Sequence, residues 1–286
     1  MIISTQTCCM SRAFGDFEAI KKLADVGFDA LDYSLFDLVN PEHPLHGNHF
    51  EKYALELKQS AAEYGIFFNQ THAPFPSYQF DKEEYNKKIF PLLVRSIAVT
   101  SVIGAEHVVI HPIAHKDKSL QKNFNLELYN KLLPYCKEYH VKIALENMWG
   151  HGENNTIVPN VCSLPEEFAD YVDSLDPNYF LACLDLGHAG LVGETAEHMI
   201  RVLGHNRLKA LHIHDNDHLS DMHTLPFLQK MNWVEIAKAL KEIDYSGELT
   251  FEADNFYSKF PCEMYDLLSK VMFETGKHLV NMIENS

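Results

Sequence analysis

Eight times along this chain a short β-branched or apolar run is followed by a longer segment of helical period. The short runs fall at 2–6, 28–33, 66–71, 106–111, 141–146, 180–185, 208–213 and 248–252, each bounded by Gly, Pro, Asn or Asp, and read as strands. Phe17, Ile20, Leu23 and Ala24 in the first intervening segment, and Ile89, Leu93, Ile97 and Thr100 in the third, recur at the spacing of one helix face. Gly27, Gly65, Gly104 and Gly247 stand just before strands, where a helix must stop and the chain turn. Parallel strands joined by crossover helices satisfy this order, and eight such units close a barrel. The expected fold is an α/β (β/α)8 TIM barrel forming one domain over residues 1–286, a length normal for that fold, which takes roughly 250 residues. On periodicity alone, an eight-unit doubly wound sheet remains the alternative.

A barrel of this kind places its chemistry at the C-terminal ends of its strands. At or within one residue of the ends of the eight runs stand Gln6, Tyr33, His72, His111, Glu146, Asp185, His212 and Glu252. Simple exposure would leave a mixture of Ser, Thr, Asn and Lys there, whereas six of these eight are His, Asp or Glu. Glu146, Asp185, His212 and Glu252 come from four successive strands and converge from one arc of the rim. Three carboxylates with one imidazole suit a single hard or borderline divalent ion: manganese, magnesium, cobalt or zinc. Such a shell leaves positions for water or substrate oxygens, the open arrangement of a catalytic site.

Composition removes several function classes. Forty acidic against 24 basic residues give a net charge of −16, and no stretch gathers the Lys/Arg patch that a nucleic-acid backbone requires. No apolar run approaches a membrane span, and MIISTQTCCM lacks the parts of a signal peptide, so a soluble cytoplasmic protein is expected. Cys8, Cys9, Cys136, Cys162, Cys183 and Cys262 form no C-x-x-C pair and are expected to be free thiols.

The fragments THAP (71–74), VVIHP (108–112), ALEN (144–147), LDLGH (184–188), LHIHDN (211–216), DMH (221–223) and TFEAD (250–254) are weak singly. Together and in order they resemble the xylose-isomerase-like barrel superfamily of sugar isomerases and epimerases, which also contains apurinic endonucleases of the endonuclease IV type. The resemblance implies that Glu146, Asp185, His212 and Glu252 hold the metal while Glu146 and Glu252 also act as acid and base. A proton would leave and return at a carbon next to the carbonyl of a small ketose or polyol-derived sugar, through an enediolate. His188 is expected to bind a substrate oxygen or orient a ligand, and His72, His111 and Trp149 to line the substrate.

Two other reactions use the same residues. Loss of a β-hydroxyl from the enediolate would make the chain a lyase of keto-inositol type. Alternatively, His72, His111, Glu146, Asp185, His188, His212, Asp221, His223 and Glu252 match the nine ligand positions of the endonuclease IV pattern, with Asp221 and His223 serving an additional metal. The acidic segments HGENNTIVPN, HDNDHLSDMH and EADNFYSKF speak against DNA. After Asp221–His223 the chain reads TLPFLQKMNW in place of the usual proline–glycine stretch, which puts the loop around His223 in question.

Tyr33, Phe36, Phe75, Tyr78, Trp149 and Phe256 follow strand ends and are expected to wall the pocket. Lys116 and Lys118 are the nearest cations for a phosphate, so an unphosphorylated substrate is expected. The segment from Trp149 to Cys162 reads as a polar loop able to cover the site. The final helix, from about Cys262 to Asn285, offers a face to a neighbouring copy.

Overall fold

The computed structural model describes residues 1–286. In chain order the elements are β1 (Ile3–Gln6), α1 (Cys8–Phe14), α2 (Asp16–Val26), β2 (Ala30–Ser34), α3 (Phe50–Glu63), β3 (Phe67–His72), α4 (Glu83–Ile103), β4 (His107–Val109), α5 (Lys118–Tyr139) and β5 (Lys142–Glu146). There follow β6 (Trp149–His151), β7 (Ile157–Pro159), α6 (Pro165–Asp173), β8 (Phe180–Asp185), α7 (Leu186–Leu191), α8 (Ala196–Arg207), β9 (Leu208–His212), α9 (Trp233–Glu242), β10 (Leu249–Phe251) and α10 (Tyr265–Glu284). Eight strands form one parallel sheet in the order β10-β1-β2-β3-β4-β5-β8-β9. Its two ends meet: the Ile213 amide donates to the Thr250 carbonyl at 2.9 Å and the Glu252 amide to the Ile213 carbonyl at 3.2 Å. Parallel strands leave no hairpin route between neighbours, so each crossover is carried by helices, and the closed barrel is the outcome.

The period-2 alternation of each strand sorts side chains between two environments. Ile143 and Leu145, or Ala182 and Leu184, face the helices and join the main core, while Ala144, Leu181, Cys183, Ala210 and Val109 form a separate apolar cluster inside the barrel. Above that cluster the same inward parity delivers Glu146, Asp185 and His212. In β2 the parity corrects the sequence reading: Tyr33 is buried among the helices, its hydroxyl donating to Asp16 at 2.7 Å, and Asp32 is the inward residue.

Helix ends explain three of the four glycines that stand just before strands. Gly27 (φ 116°), Gly65 (φ 72°) and Gly104 (φ 88°) take left-handed conformations that a side chain resists. Gly247 does not: after α9 it is Asp244 that turns left-handed (φ 54°), and Gly247 is small because an added Cβ would lie 2.5 Å from the Lys209 carbonyl oxygen. Phe17 also departs from the expected inner face of α2; it is exposed and its ring meets Tyr53 edge-on.

The segment after β5 is not a loop. Residues 149–159 form the antiparallel hairpin β6–β7, turned by Asn154 and Asn155 at positive φ. α10 is tied inward: Leu268, Met272, Leu279 and Ile283 are buried, and Gly276 lets the helix approach Ile3 and Phe251. The six cysteines are free. No helix is long and apolar enough to cross a membrane.

Candidate active site

Three strands set the floor of the site. Glu146, Asp185 and His212 end β5, β8 and β9, and Glu252 follows β10; ligand atoms from all four lie within 4.8 Å of one another. His212 Nδ1 is 3.0 Å from Glu146 Oε1 and 3.0 Å from Glu252 Oε2. Gln6 Nε2 donates to the other Glu252 oxygen at 2.7 Å. Glu146 Oε2 is buried and makes no hydrogen bond of good geometry, its neighbours being His111 Nε2 at 2.9 Å and His72 Nε2 at 3.4 Å. A buried carboxylate oxygen left in that state is costly, and a divalent cation among these donors would satisfy it. The donor set therefore fits the ion expected from the strand ends.

The motif residues between these four act as fasteners. Asn147 accepts from the Asp185 amide at 2.7 Å and donates to the Asp185 carbonyl at 2.9 Å, locking β5 to β8. The Asp185 carboxylate caps α7 by accepting the His188 amide at 2.7 Å. His214 Nε2 lies 2.9 and 3.0 Å from the two Asp185 oxygens, and its ring stacks on His223 at 4.0 Å. On the far side of His212, Gln70 Nε2 approaches His212 Nε2 at 3.0 Å and donates to Asp32 at 3.0 Å. Asp32, Gln70 and His214 were not read from the sequence. Period-2 parity would have found the first two, and the H-x-H spacing of LHIH the third.

Two further groupings adjoin the floor. His72 and His111 meet at 3.1 Å through their Nε2 atoms and face Glu146 Oε2 at 3.4 and 2.9 Å. Asp221 joins His223 at 3.1 Å, His188 at 3.6 Å and the Trp149 indole N–H at 3.1 Å. The TLPFLQKMNW loop is held by Asp215, which accepts from the amides of Gln229 and Met231 and from the Trp233 indole. That anchor compensates for the missing glycines: His223 Nδ1 reaches the Glu252 carbonyl at 2.8 Å.

Protonation follows from this crowding. Burial drives the Glu146 carboxyl up, but the imidazoles of His212 and His111 outweigh it and hold it well below the usual range. Glu252 is lowered in the same way, chiefly by His212. Burial pulls His212 down while Cys183, Glu252 and Glu146 raise it well above an ordinary imidazole. Against its own burial, His188 is lifted to about 10 by Asp185 and Asp221. Asp254, half-buried near Glu252, rises to about 7 through partial desolvation and the Glu252 charge.

Above the floor lies a cavity of about 410 Å3. Phe36, Phe75, Met148 and Trp149 form its apolar side; His72, His111, His188, Asp221, His223, Asp254 and Asn255 supply the polar one. Tyr33, Tyr78 and Phe256 do not line it. Tyr78 opens on a separate groove beside α4 and α5, and Phe256 packs on Tyr257 and Phe260. Neither lysine reaches it: Lys116 is exposed and Lys118 bonds the Asn160 carbonyl.

Residues 20–263 match the family described as xylose isomerase-like TIM barrel. The chain belongs to that family. It is 26% identical over 254 residues to the uncharacterized protein MJ1311 of Methanocaldococcus jannaschii, covering 83% of this chain and 78% of that one. It is 29% identical over 178 residues to a probable endonuclease 4 of Staphylococcus epidermidis, covering 57% and 56%. Among solved structures, the barrel superposes on a D-tagatose 3-epimerase-like protein with a TM-score of 0.70 at 22% identity, over 96% of this chain and 99% of that one. It superposes on the IOLI protein with a bound zinc atom at a TM-score of 0.72 and 19% identity, over 100% and 99%. At these identities the structural likeness speaks for the fold.

Proposed function

We propose that this chain is a divalent-metal-dependent isomerase or epimerase that moves a proton at the carbon beside the carbonyl of a small, unphosphorylated ketose or polyol-derived sugar. The observation that carries this reading is the convergence of Glu146, Asp185, His212 and Glu252 on one point at the cavity floor. Those four residues would hold the ion. When bound it supplies positive charge beside the substrate's carbonyl and hydroxyl oxygens, which acidifies the C–H bond between them.

The chain's own groups carry the proton. Glu146 and Glu252 are ionised in the metal-free protein, and the positive charge of an ion held between them would keep them so, which leaves each able to accept a proton at neutral pH. One removes the proton and the other returns one. Return to the opposite face of the same carbon inverts the centre, whereas return to the adjacent carbon, with the hydroxyl proton passing to the former carbonyl oxygen, moves the carbonyl. His188 Nδ1 is engaged with the Asn147 carbonyl at 2.8 Å, which leaves Nε2, shared with Asp221, as a charged donor to a substrate oxygen. Phe36, Phe75, Met148 and Trp149 pack against the C–H face of the sugar.

The test is proton exchange. Protein loaded with manganese, magnesium, cobalt or zinc is incubated with a panel of ketoses in D2O, and deuterium at the carbon next to the carbonyl is followed by NMR. Exchange that is lost in Glu146→Gln and in Glu252→Gln supports the proposal. One observation favours a second reading: the pair His72–His111 at Glu146 and the trio His188–Asp221–His223 stand ready beside the first grouping, as three metal sites for phosphodiester cleavage would require. No exchange on any ketose, together with about three zinc ions per chain and cleavage of abasic DNA, would replace the first proposal with that one.

A further inference from the structure

Outside the catalytic cavity, the outer face of α10 breaks the rule by which a barrel helix turns polar residues to water. Its inner stripe, Leu268, Met272, Leu279 and Ile283, is spent on the barrel. A second stripe at helical spacing, Leu267, Lys270, Val271, Glu274 and His278, lines a groove of about 510 Å3 whose other wall is Phe227. Leu267 is 57% exposed, Val271 43%, Phe227 45% and the adjoining Leu228 53%. Scattered apolar residues on a surface are ordinary; four around one groove are an unpartnered patch. Phe227 is moreover held at φ 73°, a conformation costly for a bulky residue, with its ring against His278 at 5.5 Å.

We infer that this groove is where a second copy of the chain docks, α10 against α10 about a two-fold axis. Charge selects that occupant. With a net charge of −16, two copies repel over most of their surfaces. Within the groove Lys270, which has no ion-pair partner in its own chain, sits one turn before Glu274, whose carboxylate also holds Lys277 of the same helix at 3.0 Å, so this stretch lacks the acidic excess of the rest of the surface. In an antiparallel pair of identical helices centred between them, Lys270 meets the partner's Glu274 and Glu274 meets the partner's Lys270, so one face supplies both halves of two ion pairs. Leu267 and Val271 of each copy then cover the apolar wall of the other. Isologous association requires such self-complementarity. Phe227 belongs to the β9–α9 loop that also carries Asp221 and His223, so the docking face flanks the catalytic rim, but none of its residues lines the cavity and the pairing does not complete the active site.

Sedimentation velocity on the full chain at micromolar concentration tests the inference. The expected species has twice the 32.8 kDa chain mass. Val271→Asp removes it. Lys270→Glu faces the partner's Glu274 with a like charge at both ends and weakens the dimer at least about tenfold, which is ~1.4 kcal/mol. Lys270→Glu combined with Glu274→Lys restores it, a recovery that no simple loss of surface packing produces. All three variants lie on a solvent-facing stripe, and an unchanged far-ultraviolet circular dichroism spectrum verifies folding. A wild-type monomer overturns the inference, as does a dimer indifferent to both single substitutions. A monomer that binds the apolar dye ANS, with binding lost in Val271→Asp, assigns the groove to a different partner and overturns it equally.

Discussion

Gly187 offers a perturbation that leaves all four proposed ligands in place. It is the second residue of α7, and a Cβ built on it would lie 2.0 Å from His214 Cε1 and 2.5 Å from both ring nitrogens. Ordinary carbon contact begins near ~3.5 Å, so in Gly187→Ala the ring must retreat by about 1.5 Å. It has no free direction: one side stacks on His223 at 4.0 Å and Nε2 is held between both Asp185 oxygens. Overpacking of this kind costs about 1–3 kcal/mol, and loss of a hydrogen bond to a charged group about 1.5–3 kcal/mol. Alanine recovers up to about 1 kcal/mol through its better helix propensity. Net destabilisation of roughly 2–4 kcal/mol lowers Tm by on the order of 5–10 °C in a chain of this size. Because His214 orients Asp185, affinity for manganese or cobalt falls about 10–100-fold, the usual loss when a group supporting a metal ligand is removed. Calorimetric metal titration and thermal melting of the metal-free protein read the two effects separately. Affinity within about twofold of wild type and Tm within about 2 °C would refute the claim that Gly187 is required by His214, and with it the role given to His214.

Glu146→Gln and Glu252→Gln should each abolish turnover while circular dichroism stays native; substantial activity in either would remove that residue from the proton path. Metal affinity should rise with pH, because in the metal-free protein Glu252 and Glu146 stabilise a proton on His212 that the ion must displace; titrations at pH 6, 7 and 8 that give a flat affinity would contradict this. His188 gives a stability prediction of the opposite sign. Its folded value of about 10 lies above the unfolded 6.5, so the stabilisation is complete below pH 6.5 and is lost as pH rises through 10. Metal-free protein should therefore melt at falling temperature across that window, and Asp221→Asn, which removes one of the charges responsible, should flatten the slope.

How far the sequence carried this protein is clearest at individual residues. Glu146, Asp185, His212 and Glu252 were legible because the residue type at each strand end and the place of each run in the eightfold alternation are local properties, and closure of a parallel sheet brings those ends together. The interior of β2 was misjudged, since taking its last residue favoured Tyr33 over Asp32; only the direction of each Cβ relative to the helices resolves that choice. Gly247 read as a helix stop, yet its neighbour Lys209 belongs to another strand, and close approach between distant segments leaves no local trace.

The sequence by itself determined the eightfold alternation of strands and helices and the residue types at the strand ends, because these depend on period, residue type and short-range turn chemistry. Tertiary structure alone decided what each group experiences. It paired Asn147 with Asp185, set His214 against Gly187, and packed histidines among carboxylates so that Glu146 and Glu252 stay ionised and His188 stays charged. It also left Leu267 and Val271 on the outside of a helix whose other face is buried. Those outcomes depend on distances between residues far apart in the chain, and burial and Coulomb interaction act through distance in space.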